Sequence, residues 1–286
     1  MWLSVFVGNS YYIATIVKQL FYIKPAEASE IVQPVLLIKT GERHFSFAVT
    51  NKEGDQVSEL AYYSTNGSAE ELAEILDAHP VLTNNFYKTL VSYDHNYNSL
   101  VPAAYYKEGE SSALLNALYG VNGYHNVIAE AVNDRAAFNV YAVPKPVHEW
   151  IGKQFKGCSS WNQFSVGLQQ AKSINSESVI LADFRTDDFT VVVVKNNQPL
   201  LTQTFTYQAP EDVVFQLLNI CQQFDLSQRE VRLLIAGLLD TRSALYKELY
   251  QYFVHIECRN AAWSTADSET PAHFFTSLND LSRCVS

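Results

Sequence analysis

The feature that most constrains this chain is one pattern written twice. In the first half, residues 35–39 form a short apolar run. Residues 43–50 then alternate, with Phe45, Phe47 and Val49 on one face and His44, Ser46 and Ala48 on the other. A polar turn containing Gly54 leads into a second strand-like run, 57–64. Ser68-Ala69-Glu70-Glu71 reads as a capping box, Ser68 accepting the Glu71 amide while Glu71 reaches back. Leu72, Ile75 and Leu76 give the helix its apolar stripe, Pro80 limits it, and 88–93 reads as a further strand. The second half repeats this order: strands over 179–184 and 188–194, a polar turn at 196–198, and a strand over 200–207. A helix opens on Pro210-Glu211-Asp212, where proline suits the first turn and acids favour its positive end. A buried strand at 231–236 closes the series. Phe45 and Ser68 are 23 residues apart, and Phe189 and Pro210 are 21 apart. Leu90 and Leu233 lie 45 and 44 residues beyond those phenylalanines. A repeated strand–strand–strand–helix–strand series predicts two related α/β halves built on mixed sheets, not one parallel sheet.

Between the two series, 125–132 and 136–143 read as a strand pair, Pro144 opens a helix reaching about 155, and 161–166 reads as a strand. After a polar bend, a last helix starts at Pro271 with Phe274, Phe275, Leu278 and Leu281 at helical spacing. The division expected is a leader over 1–30, a first subdomain over 31–143 and a second over 144–286. The mostly apolar stretch 2–23 lacks a basic start and a clear cleavage site, and Lys18 sits near its end. A leader outside the fold is the favoured reading; a docked strand or helix and an interfacial anchor stay open.

Composition narrows the function. Apolar residues at 48% and charged residues at 17% suit a folded chain with sizeable cores. A net charge of −10, with no basic run, argues against a nucleic-acid partner. Cys158, Cys221, Cys258 and Cys284 are scattered, with no CxxC and no histidine pair at ligand spacing. Neither a metal site nor a secreted disulfide framework is expected, and a cytoplasmic setting is.

The duplicated unit resembles the actin-like ATPase superfamily, which includes actin, heat-shock chaperones, sugar kinases and PilM-like pilus proteins. VILADFRTDDFTVVVVKNNQPLLTQTF, 179–205, is similar to that superfamily's second phosphate loop. VRLLIAGLLD, 231–240, is similar to its adenosine turn. Over residues 31–257 the layout looks most like a bacterial family of unknown function with an actin-like fold. The resemblance implies Asp183 as the catalytic or metal carboxylate, and Gly41, Thr186 and Gly237 as nucleotide contacts. It also implies ATP and magnesium as cofactors of any active member.

The loops depart from that pattern. Lys39 stands where the first carboxylate belongs. Phe184 and Arg185 stand where glycine would let backbone amides approach a phosphate, and Asp187 and Asp188 add negative charge. The reading favoured is a non-catalytic protein-interaction module that needs no cofactor. Its partner is expected to be a protein, a second copy of the chain included, with neither nucleic acid nor membrane. A divergent ATPase or phosphotransferase using Asp183 is the alternative.

Overall fold

Runs of β-branched and aromatic residues punctuated by polar turns form strands, and here they build three sheets. The computed structural model describes residues 17–24, 31–132, 134, 136–263 and 270–284. The first sheet contains β1 (Lys18–Ile23), β2 (Val35–Gly41), β3 (His44–Thr50) and β4 (Val57–Ser64). Helix α1 (Ala69–Ala78) leads to β5 (Lys88–Asp94). A small three-stranded unit follows, made of β6 (Asn98–Pro102), α2 (Ser111–Tyr119), β7 (His125–Val132) and β8 (Ala137–Pro144). Next come α3 (Lys145–Gln154), β9 (Ser159–Asn162) and α4 (Gln163–Lys172). The second large sheet is formed by β10 (Ser178–Phe184), β11 (Asp188–Lys195) and β12 (Gln198–Thr206), then, after α5 (Pro210–Gln223), β13 (Arg232–Gly237) and, after α6 (Ala244–Tyr252), β14 (His255–Cys258). The short α7 (Thr276–Asp280), with 3-10 turns on both sides, ends the described chain. No helix among the described residues is long and apolar enough to cross a membrane.

The strand orders are β1-β4-β3-β2-β5-β9 and β12-β11-β10-β13-β14, with β6-β8-β7 as the small sheet. The two large sheets share one register plan. Val35 lies opposite Thr50 and Lys88, and Val179 lies opposite Val194 and Arg232, the same spacings in both halves. A bulge interrupts the second pairing at Val49/Thr50 and again at Val193/Val194. The halves differ by two residues in the hairpin that follows, His44 facing Ser64 and Asp188 facing Thr206. That difference is the shortening from 23 to 21 visible in the sequence.

Each large sheet is covered on both faces. Phe45, Phe47 and Val49 pack with Leu72 and Ile75 of α1 and with Val147 and Ile151 of α3. Ala48, on the opposite face, packs with Val166 of α4 and Leu278 of α7. Helices α5 and α6 cover the outer face of the second sheet, and α4 meets its inner face through Phe164 and Leu168. So α4 and α7 lie between the sheets, and the polar positions of β3 are buried as deeply as the apolar ones.

Four sequence expectations need correction. The boundary at 143/144 falls inside the first half, because α3 packs on the first sheet and β9 pairs with β5. The strand expected at 161–166 ends at Asn162, whose side chain accepts the Phe164 amide at 2.9 Å and starts α4. An N-cap asparagine overrides the short apolar alternation there. Residues 18–23 of the expected leader form β1, which pairs with β4, and Phe21 packs edge-on against Phe274 and Phe275. Residues 1–16 and 25–30 of that leader lie outside the described residues. The capping box at Ser68 forms by half. Ser68 accepts the Glu71 amide, but the Glu71 carboxylate takes Thr65 Oγ1 at 2.5 Å and the Asn66 amide at 2.7 Å.

Candidate functional site

Strands β2 and β10 end side by side where the halves meet, so the residues at their tips converge. Side chains alternate along a strand, and Leu37 of β2 faces α4 and α7, which turns Lys39 the same way. Lys39 Nζ donates to Asp183 Oδ2 at 2.6 Å and to Ser277 Oγ at 2.9 Å, and lies 3.3 Å from Asp94 Oδ2. The Lys39 side chain is 4% exposed, Asp94 0% and Asp183 12%, so these charges meet out of water. Arg185 completes the cluster by binding Asp94 through Nη1 and Asp188 through Nε. At the rim, Arg43 pairs with Asp187, both half-exposed. Three of these ion pairs cross from one half to the other: Lys39–Asp183, Arg185–Asp94 and Arg43–Asp187.

The electrostatics follow from that packing. Burial pushes the Asp94 carboxyl up, but Arg185 and Lys39 together hold it well below the usual carboxylate range. Burial works against the charged form of Arg185, and Asp94 and Asp188 more than restore it. Asp188 is pushed up by burial, only partly offset by Arg185. Two cations against three carboxylates leave this buried group one negative charge in excess, and between Asp94 and Asp188 burial prevails only at Asp188. His44 and His95 are both buried, and burial holds them neutral, His95 down at about 4. Several buried polar atoms around Asp94 have no hydrogen-bond partner among the described residues: Tyr62 OH, Ser92 Oγ and both ring nitrogens of His95; His44 Nε2 lies 3.3 Å from Asp94 Oδ2.

The residues named from the sequence occupy this junction in different ways. Asp183 is at its centre, bound to Lys39 and 3.3 Å from Gln163 Nε2. Gly237, at φ +83°, packs on the end of β10: a Cβ there would lie 2.1 Å from the Phe184 carbonyl oxygen and 2.6 Å from Asp183 Oδ1. A Cβ on Gly41 would lie 2.7 Å from the Asp94 carbonyl oxygen and 2.5 Å from the His44 ring. Both glycines therefore serve close packing of the chain on itself. Thr186 stands exposed at the rim of a cleft of about 400 Å³, with Arg43, His44, Tyr62 and Asp187. Sequence reasoning missed Asp94, which lies one residue beyond the strand expected over 88–93. Its signal is an acid ending the strand that runs parallel to β2, where Gly41 lies opposite it. No group of three or more His, Cys, Asp or Glu among the described residues is arranged to hold a metal ion.

Two three-stranded meanders, each continued by a helix and a parallel strand and joined at a cleft, define a protein of the actin-like ATPase fold. The model of the family described as protein of unknown function (DUF3822) matches residues 24–256, and the chain belongs to that family. A Bacteroides thetaiotaomicron protein of actin-like ATPase fold and unknown function superposes with a TM-score of 0.73 at 17% identity, covering 90% of this chain and 98% of that one. A structure of a PilM–PilN type IV pilus biogenesis complex is also similar, with a TM-score of 0.54 at 11% identity over 89% of this chain and 98% of that one. No curated protein matches.

Proposed function

We propose that this chain is a non-catalytic actin-like module that binds another protein, its nucleotide site replaced by the ion-pair cluster. The observation that carries this reading is Lys39 Nζ set between Asp94 and Asp183, both buried. In an active member an acid at position 39 would join Asp183 in serving a magnesium ion through water; here the Lys39 ammonium stands in that place and pairs with Asp183 instead. The residues do not fit a magnesium triphosphate for two further reasons. The glycine turns at 41 and 237 are filled by the chain's own backbone and side chains. The Arg185 guanidinium is already engaged by Asp94 through Nη1 and by Asp188 through Nε, which offsets the charge it would offer a phosphate. Positioning and electrostatics supply nearly all catalysis of phosphoryl transfer, so losing both removes turnover. The pilus complex supports the partner half of the reading, since a protein of this fold is found there with another protein. Four free cysteines accord with work in the cytoplasm.

The test is phosphate release and calorimetric titration with ATP and magnesium, against Asp183→Ala. Neither turnover nor saturable heat is expected. Steady turnover of about 1 per second, an ordinary enzyme rate, abolished by Asp183→Ala, would instead make the chain a divergent ATPase or phosphotransferase.

A further inference from the structure

Below the junction, α4 and α7 close over the inner face of the second sheet around a cavity of about 20 Å³, room for one water-sized particle. Part of its wall is apolar, Leu181 and Leu234 included. The oxygen-bearing part comes from three places: Gln163 of α4, Asp183 and Thr190 of the sheet, and Ser277 and Asp280 of α7. Each of these but Ser277 is buried. Arg259 also lines the cavity and is paired with Asp280.

Two features define what fits there. The first is the Gln163 amide. Its Nε2 donates to Asp183 Oδ2 at 3.3 Å, which fixes its orientation, since turned over it would set oxygen against a carboxylate. Gln163 Oε1 is then buried with no hydrogen-bond partner among the described residues, and an unpaired buried acceptor is costly. The second feature is charge. Asp183 belongs to the junction group that carries one negative charge in excess, and the Asp280–Arg259 pair adds none. Burial pushes the Asp280 carboxyl up, Arg259 offsets part of the rise, and the nearby Asp183 carboxylate adds to it.

We infer that this cavity binds one dehydrated alkali-metal cation, sodium or potassium, between α4, the second sheet and α7. Buried charges are paired or coordinate metals. A water molecule would give Gln163 Oε1 a donor but leave the excess charge in place; an alkali cation takes oxygen ligands and cancels one unit. A divalent ion would reverse the excess, and Lys39 and Arg259 would repel it more strongly. Because the walls come from three elements far apart in the chain, filling the site ties the last helix to the closed junction. The inference stands apart from the binding-module reading, since no part of it involves a nucleotide or a protein partner.

For the test, the full-length protein is dialysed into choline chloride, whose cation is too large for the cavity, and retained sodium and potassium are counted by atomic emission. Melting is then followed in lithium, sodium, potassium and choline chlorides at equal ionic strength, so that screening is the same throughout. One equivalent of an alkali metal should be retained, or one of these salts should raise the melting temperature saturably. At ten times its Kd a bound cation multiplies the folded-to-unfolded ratio about elevenfold, about 1.4 kcal/mol, which is roughly 3–6 °C for a chain of this size. Gln163→Met and Thr190→Val each remove one oxygen from the wall while keeping its bulk. Each should lose the retained metal or at least half of the increment, measured from the variant's own choline baseline. If Gln163→Met is unfolded in every salt, Thr190→Val alone decides. The inference is overturned if no metal is retained and the four chlorides give one melting curve, or if a folded variant keeps the metal or the full increment. ATP turnover, if found, would refute the binding-module reading and leave these results as they stand.

Discussion

Replacing Lys39 with methionine keeps the apolar length of the side chain and deletes the charge that joins the halves. Asp183 would lose its buried cation and keep only Gln163 Nε2 at 3.3 Å, whereas Asp94 would retain Arg185. Removing one partner of a buried pair costs about 3–5 kcal/mol, since the other charge is left uncompensated. The retained Arg185 places Lys39→Met near the lower end, about 3 kcal/mol. For a protein of this size each kcal/mol shifts the melting temperature by about 2–4 °C, so calorimetry should find it lowered by roughly 6–12 °C. Adding Asp183→Asn removes the orphaned charge and should recover most of the loss. Magnesium should raise the melting temperature of Lys39→Met, where two carboxylates face one gap, and leave the wild type unmoved. A Lys39→Met protein as stable as wild type at pH 7 would refute the claim that the ammonium holds this junction.

The remaining predictions concern the same junction. Gly237→Ala should cost about 3 kcal/mol or more in urea unfolding, because its Cβ would lie 2.1 Å from the Phe184 carbonyl oxygen at a positive φ. Stability should fall as pH drops from about 7 to 4, because the unfolded chain protonates histidine near 6.5 while folded His95 waits until about 4. The unfolded state then binds the extra proton, so the contribution is present above 6.5 and lost below it. Over that span His95 accounts for up to about 3 kcal/mol at 1.36 kcal/mol per unit, and His44 acts in the same direction. His95→Phe should flatten this part of the curve; an unchanged slope in denaturant titrations across pH would contradict the assignment.

Local chemistry made much of the fold legible. The alternation of β3, the Ser68 cap and the Pro210-Glu211-Asp212 opening each specify an element within a few residues, and each forms. What failed was decided by partners distant in sequence. Lys18–Ile23 reads as nothing in particular until β4 offers it an edge and the phenylalanines near the C-terminus offer Phe21 a surface. The helix at 145–154 falls on the first half because its Val147 and Ile151 find the apolar face of the first sheet, which no local signal announces. In the site, Lys39 was recognisable as a departure, since it interrupts an expected carboxylate. Asp94 was not, because a lone acid in a polar stretch has meaning only beside Lys39 and Arg185, 55 and 91 residues away in the chain.

The ion pairs Lys39–Asp183 and Arg43–Asp187 have the same sequence separation, 144 residues. That interval also carries Val35 onto Val179 in the register of the two sheets. Corresponding positions of the two halves therefore touch each other, as they do on the axis of a symmetric dimer. On such an axis identical charged residues collide: two lysines at 39 and 183, or two aspartates, would each place like charges together out of water. The halves must differ here in order to meet, one basic where the other is acidic, and a change of sign on one side demands the opposite change on the other. A chain assembled from two copies of either half would repel itself at this seam, so the asymmetry of the tips is a condition of closing the two halves into one body.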